Sequence, residues 1–200
     1  MDVKRQLLNF FKQFVELSDD EFNKVILPYI VVRKFNKKAM LTKAGEVDNY
    51  FNYVYKGLIR KFYKKGNEEF NTLFAYEGHI IQSQESFYSR VPSEYFIKTI
   101  EPSVVISISY DDLEKIYAHS LKMEHLGRLL ITHLMVMKDK WRIRLLKMTP
   151  RDRFVDFITN NPDLVQRVPQ KFLASYLNIQ AETFSRFKHL LKSHSKVVES

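Results

Sequence analysis

The sequence predicts an α+β protein in which an antiparallel β-roll (jelly roll) is followed by a long helix and a small helical unit. Between Tyr29 and Tyr110, short stretches rich in β-branched and aromatic residues recur, whereas the flanking segments follow the three-and-four spacing of amphipathic helices. Four of the five glycines lie in the first region at intervals of 9 to 12 residues, as in sandwiches and barrels. The stretch 121–147 has no proline and one glycine, which indicates a single long helix.

The composition indicates a folded protein of a reducing compartment. Of 200 residues, 45% are hydrophobic and only 5 are glycine and 6 proline, which excludes disordered and low-complexity classes. The absence of cysteine excludes disulfides and thiolate metal sites. Because no apolar run reaches the length of a signal peptide or a membrane span, we expect a cytoplasmic protein with no membrane partner.

The positive charge is concentrated towards the C-terminal end. The formal net charge is +9. Segments 138–153 and 167–196 together hold thirteen basic and three acidic residues. This distribution favours a polyanionic partner that meets the last third of the chain.

We assign residues 1–120 to a sensory β-roll domain with N-terminal helices. The three-and-four spacing of the apolar residues between Leu7 and Val15, with Lys4 and Arg5 on the other side, predicts a helix in the opening segment. Ser18 with Glu21 forms a capping box for a second helix that ends at Pro28. About eight strands are expected. Six are individually recognisable: 31–35, 51–55, 58–63, 70–76, 95–100 and 104–110.

Residues 121–148 are predicted to form a dimerisation helix, after a short helix capped by Asp111 and Asp112. One side of the long helix carries an apolar stripe, which we assign to pairing with a second copy of the chain. The stripe comprises Leu126, Leu130, Leu134, Met137 and Trp141. The alternative is that these residues only pack against the core of the same chain.

Residues 149–200 predict a helix-turn-helix domain. After a helix from 151 to 160, two short helices meet at a tight turn, where Asn178 tolerates the left-handed conformation and Ala174 permits close crossing. In such motifs the second helix enters the major groove of DNA.

Two groups of residues are candidates for DNA contact. We assign base reading to Glu182, Ser185 and Arg186. An arginine can bind guanine O6 and N7, a glutamate can accept from cytosine N4, and a serine hydroxyl can contact a base or a phosphate. A second group is assigned to phosphates and positioning: Gln170, Lys171, Gln180, Thr183, Lys188, His189 and Lys192. The alternative is an ordinary helical hairpin with a solvated charged face.

Nearly the whole chain resembles the Crp/Fnr family of transcription regulators, relatives of the cyclic-AMP receptor protein, and especially its short Bacteroidetes-type forms. The resemblance is carried by the segments LSDDEFNKV, NYVYKGLIRKFY, ISISYDDLEKI and TPRDRFVDFITNNPDLVQRVPQKFLASYLNIQAETFSRFK. It implies a cyclic-nucleotide-binding-type roll, a homodimer and a two-fold symmetric operator in double-stranded DNA, which Glu182, Ser185 and Arg186 would read. RNA polymerase and an unidentified small-molecule effector are further candidate partners.

The resemblance also locates an effector pocket. In nucleotide-binding relatives a Gly-Glu pair and an Arg-Ser pair form it, whereas here Tyr76 precedes Glu77, and Ser93-Glu94 stand in place of Arg-Ser. Without the arginine, and with a carboxylate there, we expect no cyclic-nucleotide cofactor. The candidate pocket residues are Tyr76, Glu77, Phe87, Arg90, Glu94 and Phe96. Alternatively, Arg90 or Lys98 replaces the missing arginine, or the aromatic rings simply fill the roll.

Catalysis is not expected. The sequence contains no G-x-S-x-G, Walker or H-E-x-x-H motif, and no histidine besides His79 precedes His119, so the roll has no histidine-rich metal site. Two alternatives to the DNA-binding regulator stay open: a cyclic-nucleotide sensor whose helical tail engages a protein, and a β-roll enzyme. Haem ligated by His79 is a further alternative for the roll.

Overall fold

The computed structural model describes residues 3–198, with side chains described up to His189. The chain opens with α1 (Val3–Phe11) and α2 (Asp19–Glu21), which continues as a π-helical turn (Phe22–Ile26) and a 3₁₀ turn (Leu27–Tyr29). The predicted capping box is confirmed: the Ser18 hydroxyl accepts from Glu21 N–H at 3.1 Å, and the Glu21 carboxylate accepts from Ser18 N–H at 3.0 Å. The helix continues past Glu21 because both ends of its first turn are satisfied.

Eight strands form the roll, as two four-stranded sheets. The strands are β1 (Val31–Phe35), β2 (Met40–Thr42), β3 (Tyr50–Lys56), β4 (Ile59–Lys65), β5 (Glu68–Ala75), β6 (Ile80–Ile81), β7 (Phe96–Thr99) and β8 (Ser103–Ser109). Their order is β1-β8-β3-β6 in one sheet and β2-β7-β4-β5 in the other. The six individually predicted strands are confirmed to within two residues. β2 and β6 span three and two residues, too few to show an alternating pattern.

Gly57, in the turn between β3 and β4, requires the absence of a side chain. Its φ is +108°, and a Cβ atom there would lie 2.7 Å from the carbonyl oxygen of Pro102 and against the Ser103 hydroxyl. Its N–H donates to the Glu77 carboxylate at 2.7 Å. The turn therefore brings three segments of the roll together at a point where only glycine fits.

Helices pack against the sheet that contains β3 and β8. Helix α3 (Gln84–Ser89) lies between β6 and β7, and α4 (Tyr110–His119) and α5 (Leu121–Lys147) follow β8. The predicted bounds of the long helix are confirmed. The predicted cap of α4 was wrong: Ser109, not Asp111 or Asp112, is the N-cap, and its hydroxyl accepts from Asp112 N–H at 3.2 Å.

The first half of α5 packs against the roll. Leu126 and Leu130 are buried in one cluster with residues of α1, β3 and β8, and Leu134 packs at its edge. Leu126 and Leu130 are therefore unavailable to a second copy of the chain, and their assignment to the dimer surface was wrong. The alternative interpretation, packing within the same chain, holds for these two residues.

The chain divides into two compact units within α5. The first ends at Met135 and excludes Lys64–Asn71; the second comprises Lys64–Asn71 and the chain from Val136 onward. The second unit contains α6 (Pro150–Asn160), α7 (Pro162–Arg167), α8 (Gln170–Tyr176) and α9 (Ala181–Val198). The division differs from the boundaries at 120 and 148 expected from the sequence, because α5 contributes to both units.

Candidate nucleic-acid interface

The turn between α8 and α9 has the geometry expected from its sequence. Asn178 has φ +53°, a conformation that asparagine tolerates better than most residues. Its N–H donates to Ser175 O at 3.1 Å, and Ile179 N–H donates to Ala174 O at 2.9 Å. These bonds close the end of α8 and fix the direction in which α9 leaves the turn.

A buried aromatic cluster supports the two helices from below. Phe154 of α6 is fully buried, and its ring lies 4.9 Å from that of Phe184 and 5.4 Å from that of Phe187. Leu173 and Ala174 of α8 are buried beside them. Because this cluster occupies one side of α9, the opposite side is left to solvent.

The predicted base-reading residues lie together on that open side. At 3.6 residues per turn, Glu182, Ser185, Arg186 and His189 fall within about 50° of one direction around the helix axis, opposite Phe184 and Phe187. All four side chains are exposed. His189, which we predicted to position the helix on DNA, lies on the same face of α9, two turns beyond Glu182.

The predicted phosphate contacts surround this face. Thr183 and Lys188 are half-buried at its two borders, where the walls of a groove would meet the helix. Gln170, Lys171 and Gln180 are exposed, and the Lys171 ammonium lies 5.2 Å from the centre of the Phe172 ring. The side chain of Lys192 lies outside the described residues.

Not all of the basic residues counted in segment 138–153 face solvent. Arg153 is only 8% exposed, whereas Arg144 is exposed and is paired with Asp156 at 3.4 Å. Sequence reasoning missed the internal role of Arg153, although a signal was present: Arg153 directly precedes Phe154 and lies four residues before Phe157, on the buried side of α6.

The residues proposed for an effector pocket contact other parts of the roll. Phe87 is fully buried, 5.0 Å from the Tyr88 ring and 5.5 Å from the Tyr110 ring. Phe96 of β7 stacks on Phe62 of β4 at 5.2 Å. Phe87 belongs to the buried cluster that α1 and α5 form with β3 and β8, whereas Phe96 is half-buried.

Tyr76 and Arg90 of that set contact neighbouring groups, whereas Glu94 does not lie in the interior. Tyr76 lies 4.0 Å from the His79 ring, and burial lowers the pKa of His79. Arg90 donates to the carbonyl oxygens of Asp48 at 3.0 Å and Phe87 at 3.1 Å, and its guanidinium lies 4.3 Å from the centre of the Tyr110 ring. The Glu94 side chain is exposed.

A buried carboxylate in the same region escaped the sequence analysis. Asp48 is buried and accepts from Ser83 N–H at 2.6 Å, just before α3. Its own N–H donates to the Ser86 hydroxyl at 2.9 Å. Burial raises the pKa of Asp48 and outweighs the hydrogen bonds that lower it. Asp48 thus places a carboxyl group from the chain itself beside the start of α3.

Ser93, which the resemblance aligns with an arginine of nucleotide-binding relatives, is integrated into the same network. It is buried, and its hydroxyl lies 2.8 Å from the Ser83 hydroxyl and accepts from Tyr95 N–H at 3.0 Å. Within the described residues, no group of three or more histidine, aspartate or glutamate side chains could hold a metal ion. Nor does that part of the chain include a helix with the length and apolarity needed to cross a membrane.

Comparisons with known proteins identify the fold. Neither a family model nor a curated protein matches the sequence. Among solved structures, FixK2 from Bradyrhizobium japonicum has a TM-score of 0.72 at 14% identity, covering 83% of this chain and 86% of its own. The c-di-GMP responsive global regulator CLP from Xanthomonas campestris has a TM-score of 0.68 at 17% identity, covering 88% and 93%.

A third structure connects the fold with the family named above. A proposed Crp/Fnr-family transcription regulator from Eubacterium rectale has a TM-score of 0.70 at 12% identity, with 93% of this chain and 88% of its own covered. At these identities the similarity shows a shared fold. The predicted α+β architecture, with a β-roll, a long helix and a C-terminal helical domain, is therefore confirmed.

Proposed function

We propose that this chain is a sequence-specific DNA-binding transcription regulator that acts as a homodimer on an inverted-repeat operator. The observation that carries the proposal is the open face of α9, on which Glu182, Ser185 and Arg186 stand exposed above a buried aromatic cluster. A rigid helix with one polar face free is the element that major-groove recognition requires. A helical hairpin with no DNA-binding role would not require a guanidinium, a carboxylate and a hydroxyl group on one face of its second helix.

The three side chains offer complementary chemistry towards base edges. Arg186 can donate two parallel hydrogen bonds to guanine O6 and N7, and Glu182 can accept from the amino group of cytosine. Ser185, on the same face, can contact either a base or a phosphate. Because the set lies in the first two turns of α9, all three residues belong to the end that reaches base edges in helix-turn-helix docking.

The dimer surface is assigned to the exposed side of α5. Val136, Ile143 and Leu146 are 46%, 41% and 71% exposed, and together with Asp139 they follow the 3-4-3 spacing of a two-helix seam. Lys140 and Arg142 flank Asp139 and can pair with its carboxylate across the seam. Of the dimer residues predicted from the sequence, Met137 remains exposed close to this line; Trp141 instead stacks on Tyr176 at 4.3 Å.

A homodimer explains how two identical chains would each bind one half-site of an inverted repeat. Two copies related by a two-fold axis present two α9 helices, and successive half-sites on one side of DNA lie about 34 Å apart. RNA polymerase and a small-molecule effector remain candidate partners of such a regulator.

For the roll, we propose that no cyclic nucleotide serves as effector. The Glu77 carboxylate is bonded to Gly57 N–H, the Arg90 guanidinium is bonded to backbone carbonyls, and Glu94 would repel a cyclic phosphate. Calorimetric titration with cyclic AMP and cyclic GMP is expected to give no binding heat, while random duplex DNA binds. Saturable binding of either nucleotide would contradict this proposal. Nucleotide binding without DNA affinity would favour the sensor with a protein-binding tail.

Lys188→Ala is expected to weaken binding to every duplex by a similar factor. If Lys188 neutralises one phosphate per copy, the slope of log K against log salt should become shallower by about 2 per dimer. Fluorescence anisotropy with a random duplex at several salt concentrations measures the slope. Lys37→Ala, at an exposed position in the roll, is the matched control and should leave it unchanged. An unaltered slope for Lys188→Ala would remove this residue from the phosphate contacts.

A further inference from the structure

Arg153 connects three segments of the helical unit through four hydrogen bonds. Its Nε donates to Leu177 O at 2.9 Å and its Nη2 to Asn178 O at 3.2 Å. Its Nη1 donates to Leu145 O at 3.2 Å and to Met148 O at 2.7 Å. All four acceptors are backbone carbonyls. Substituting the side chains of the accepting residues would therefore not remove these hydrogen-bond acceptors.

The acceptors have a common structural origin. Leu145 and Met148 lie at the C-terminal end of α5, and Leu177 and Asn178 lie where α8 ends and turns towards α9. The last carbonyls of a helix lack intrahelical partners and carry the negative end of its dipole. A buried cation between two such ends satisfies both, which explains why an arginine is stable here without facing solvent.

The arginine itself is firmly placed. It lies in the first turns of α6, where the Thr149 hydroxyl caps Asp152 N–H at 3.2 Å and Pro150 occupies the first helical position. A guanidinium presents its donors in a fixed plane, so its bonds to both helix ends define an angle as well as a distance. A lysine ammonium is a single point charge and cannot span the four carbonyls in this way.

Trp141 and Arg144 also join α5 to the helices beyond it. Trp141 stacks on Tyr176 with an interplanar angle of 7°, and the exposed Arg144 pairs with the partly exposed Asp156. Exposed ion pairs contribute little, and a stacked pair can slide in its plane. Arg153 adds a directional restraint between the end of α5 and the turn before α9, because its four hydrogen bonds have fixed directions.

Building on the proposed function, we infer that Arg153 is a positioning residue that sets the angle between α5 and the recognition helix α9. Through the dimer this angle determines which spacing between half-sites the protein accepts. Arg153 does not touch DNA in this scheme; it acts through the carbonyls of Leu177 and Asn178 on the direction of α9.

The test compares operators that differ only in spacer length. Adding or removing one base pair moves one half-site by about 3.4 Å and rotates it by about 35°. The wild-type protein is expected to lose about 100-fold in affinity for either altered spacer, as for a disrupted specific contact. Arg153→Lys and Arg153→Gln are expected to bind the best spacer about 10-fold more weakly, but to lose only about 3-fold on changing it.

The controls separate this inference from simpler explanations. Arg151→Lys changes an exposed arginine of the same helix and should keep the wild-type spacing profile. Circular dichroism verifies folding, and the emission of Trp141, the one tryptophan in the sequence, reports its stack on Tyr176.

An unchanged spacing profile in folded Arg153 variants would overturn the inference while leaving DNA binding intact. Loss of the fold in both variants would also overturn it, since Arg153 would then be needed for folding rather than for the angle. A wild-type protein that binds no duplex would instead refute the proposed function.

Discussion

Phe184→Ala is expected to destabilise the helical unit by about 3–5 kcal/mol, the usual cost of removing a fully packed phenyl ring. Phe184 is only 2% exposed and packs edge-on against Phe154 at 4.9 Å. Its loss leaves a cavity directly beneath the open face of α9. Urea unfolding followed by Trp141 fluorescence measures the change in free energy, because Trp141 lies in the same unit.

The control for this prediction is another apolar truncation in the same unit. Val155 of α6 is 39% exposed, so Val155→Ala should change the free energy of unfolding by less than about 0.5 kcal/mol. A loss below about 1 kcal/mol for Phe184→Ala would show that the aromatic cluster does not hold α9 in place. The face above it could then not be treated as a rigid reading surface.

Arg186→Ala is expected to lower specific DNA affinity by about 1–3 kcal/mol per half-site, and therefore by about 2–6 kcal/mol for a dimer. The bidentate contact to guanine would be lost in both copies, while phosphate contacts would remain. Binding to random duplex should fall much less. Competition anisotropy with a selected operator and a random duplex measures the two affinities side by side.

The pattern of loss distinguishes base reading from general electrostatics. Arg5→Ala removes the same charge from the exposed side of α1 and should alter neither affinity by more than about 0.5 kcal/mol. In the Arg186→Ala protein, preference at one base pair of each half-site should disappear while the other positions keep theirs. Equal losses for operator and random duplex would assign Arg186 to phosphates instead.

Long periodic segments were predictable from the sequence. The six longer strands follow from hydrophobic patterning, and α5 follows from an uninterrupted stretch that contains no proline. The capping box at Ser18 and the left-handed Asn178 were predictable for a different reason: their chemistry is local and depends on few neighbours.

What covers an apolar face was not predictable. Leu126 and Leu130 share a stripe with Met137 and Trp141, yet the first two are buried against α1 and the sheet of the same chain, Met137 is exposed and Trp141 stacks on an aromatic ring. Periodicity identifies which side of a helix is apolar, but it contains no information on whether the same chain or another one packs there.

The burial of charged side chains was not predictable either. Arg153 and Asp48 were not recognised as internal groups, because composition counts every charge as if it faced solvent. Each is stabilised by backbone groups that are distant in sequence: the carbonyls of Leu177 and Asn178 for the arginine, and Ser83 N–H for the aspartate. Such partners become visible only after the chain has folded.

The most direct measurement is selection of bound sequences from a random duplex pool by the full-length protein. DNA reading by two symmetric copies of α9 predicts enrichment of one inverted repeat with half-site centres about one helical turn, or 10 base pairs, apart. The repeat should lose its guanine or cytosine preference at one position when Arg186→Ala is used for the selection. A pool that stays unenriched, or that yields a single unrepeated motif, would contradict the account.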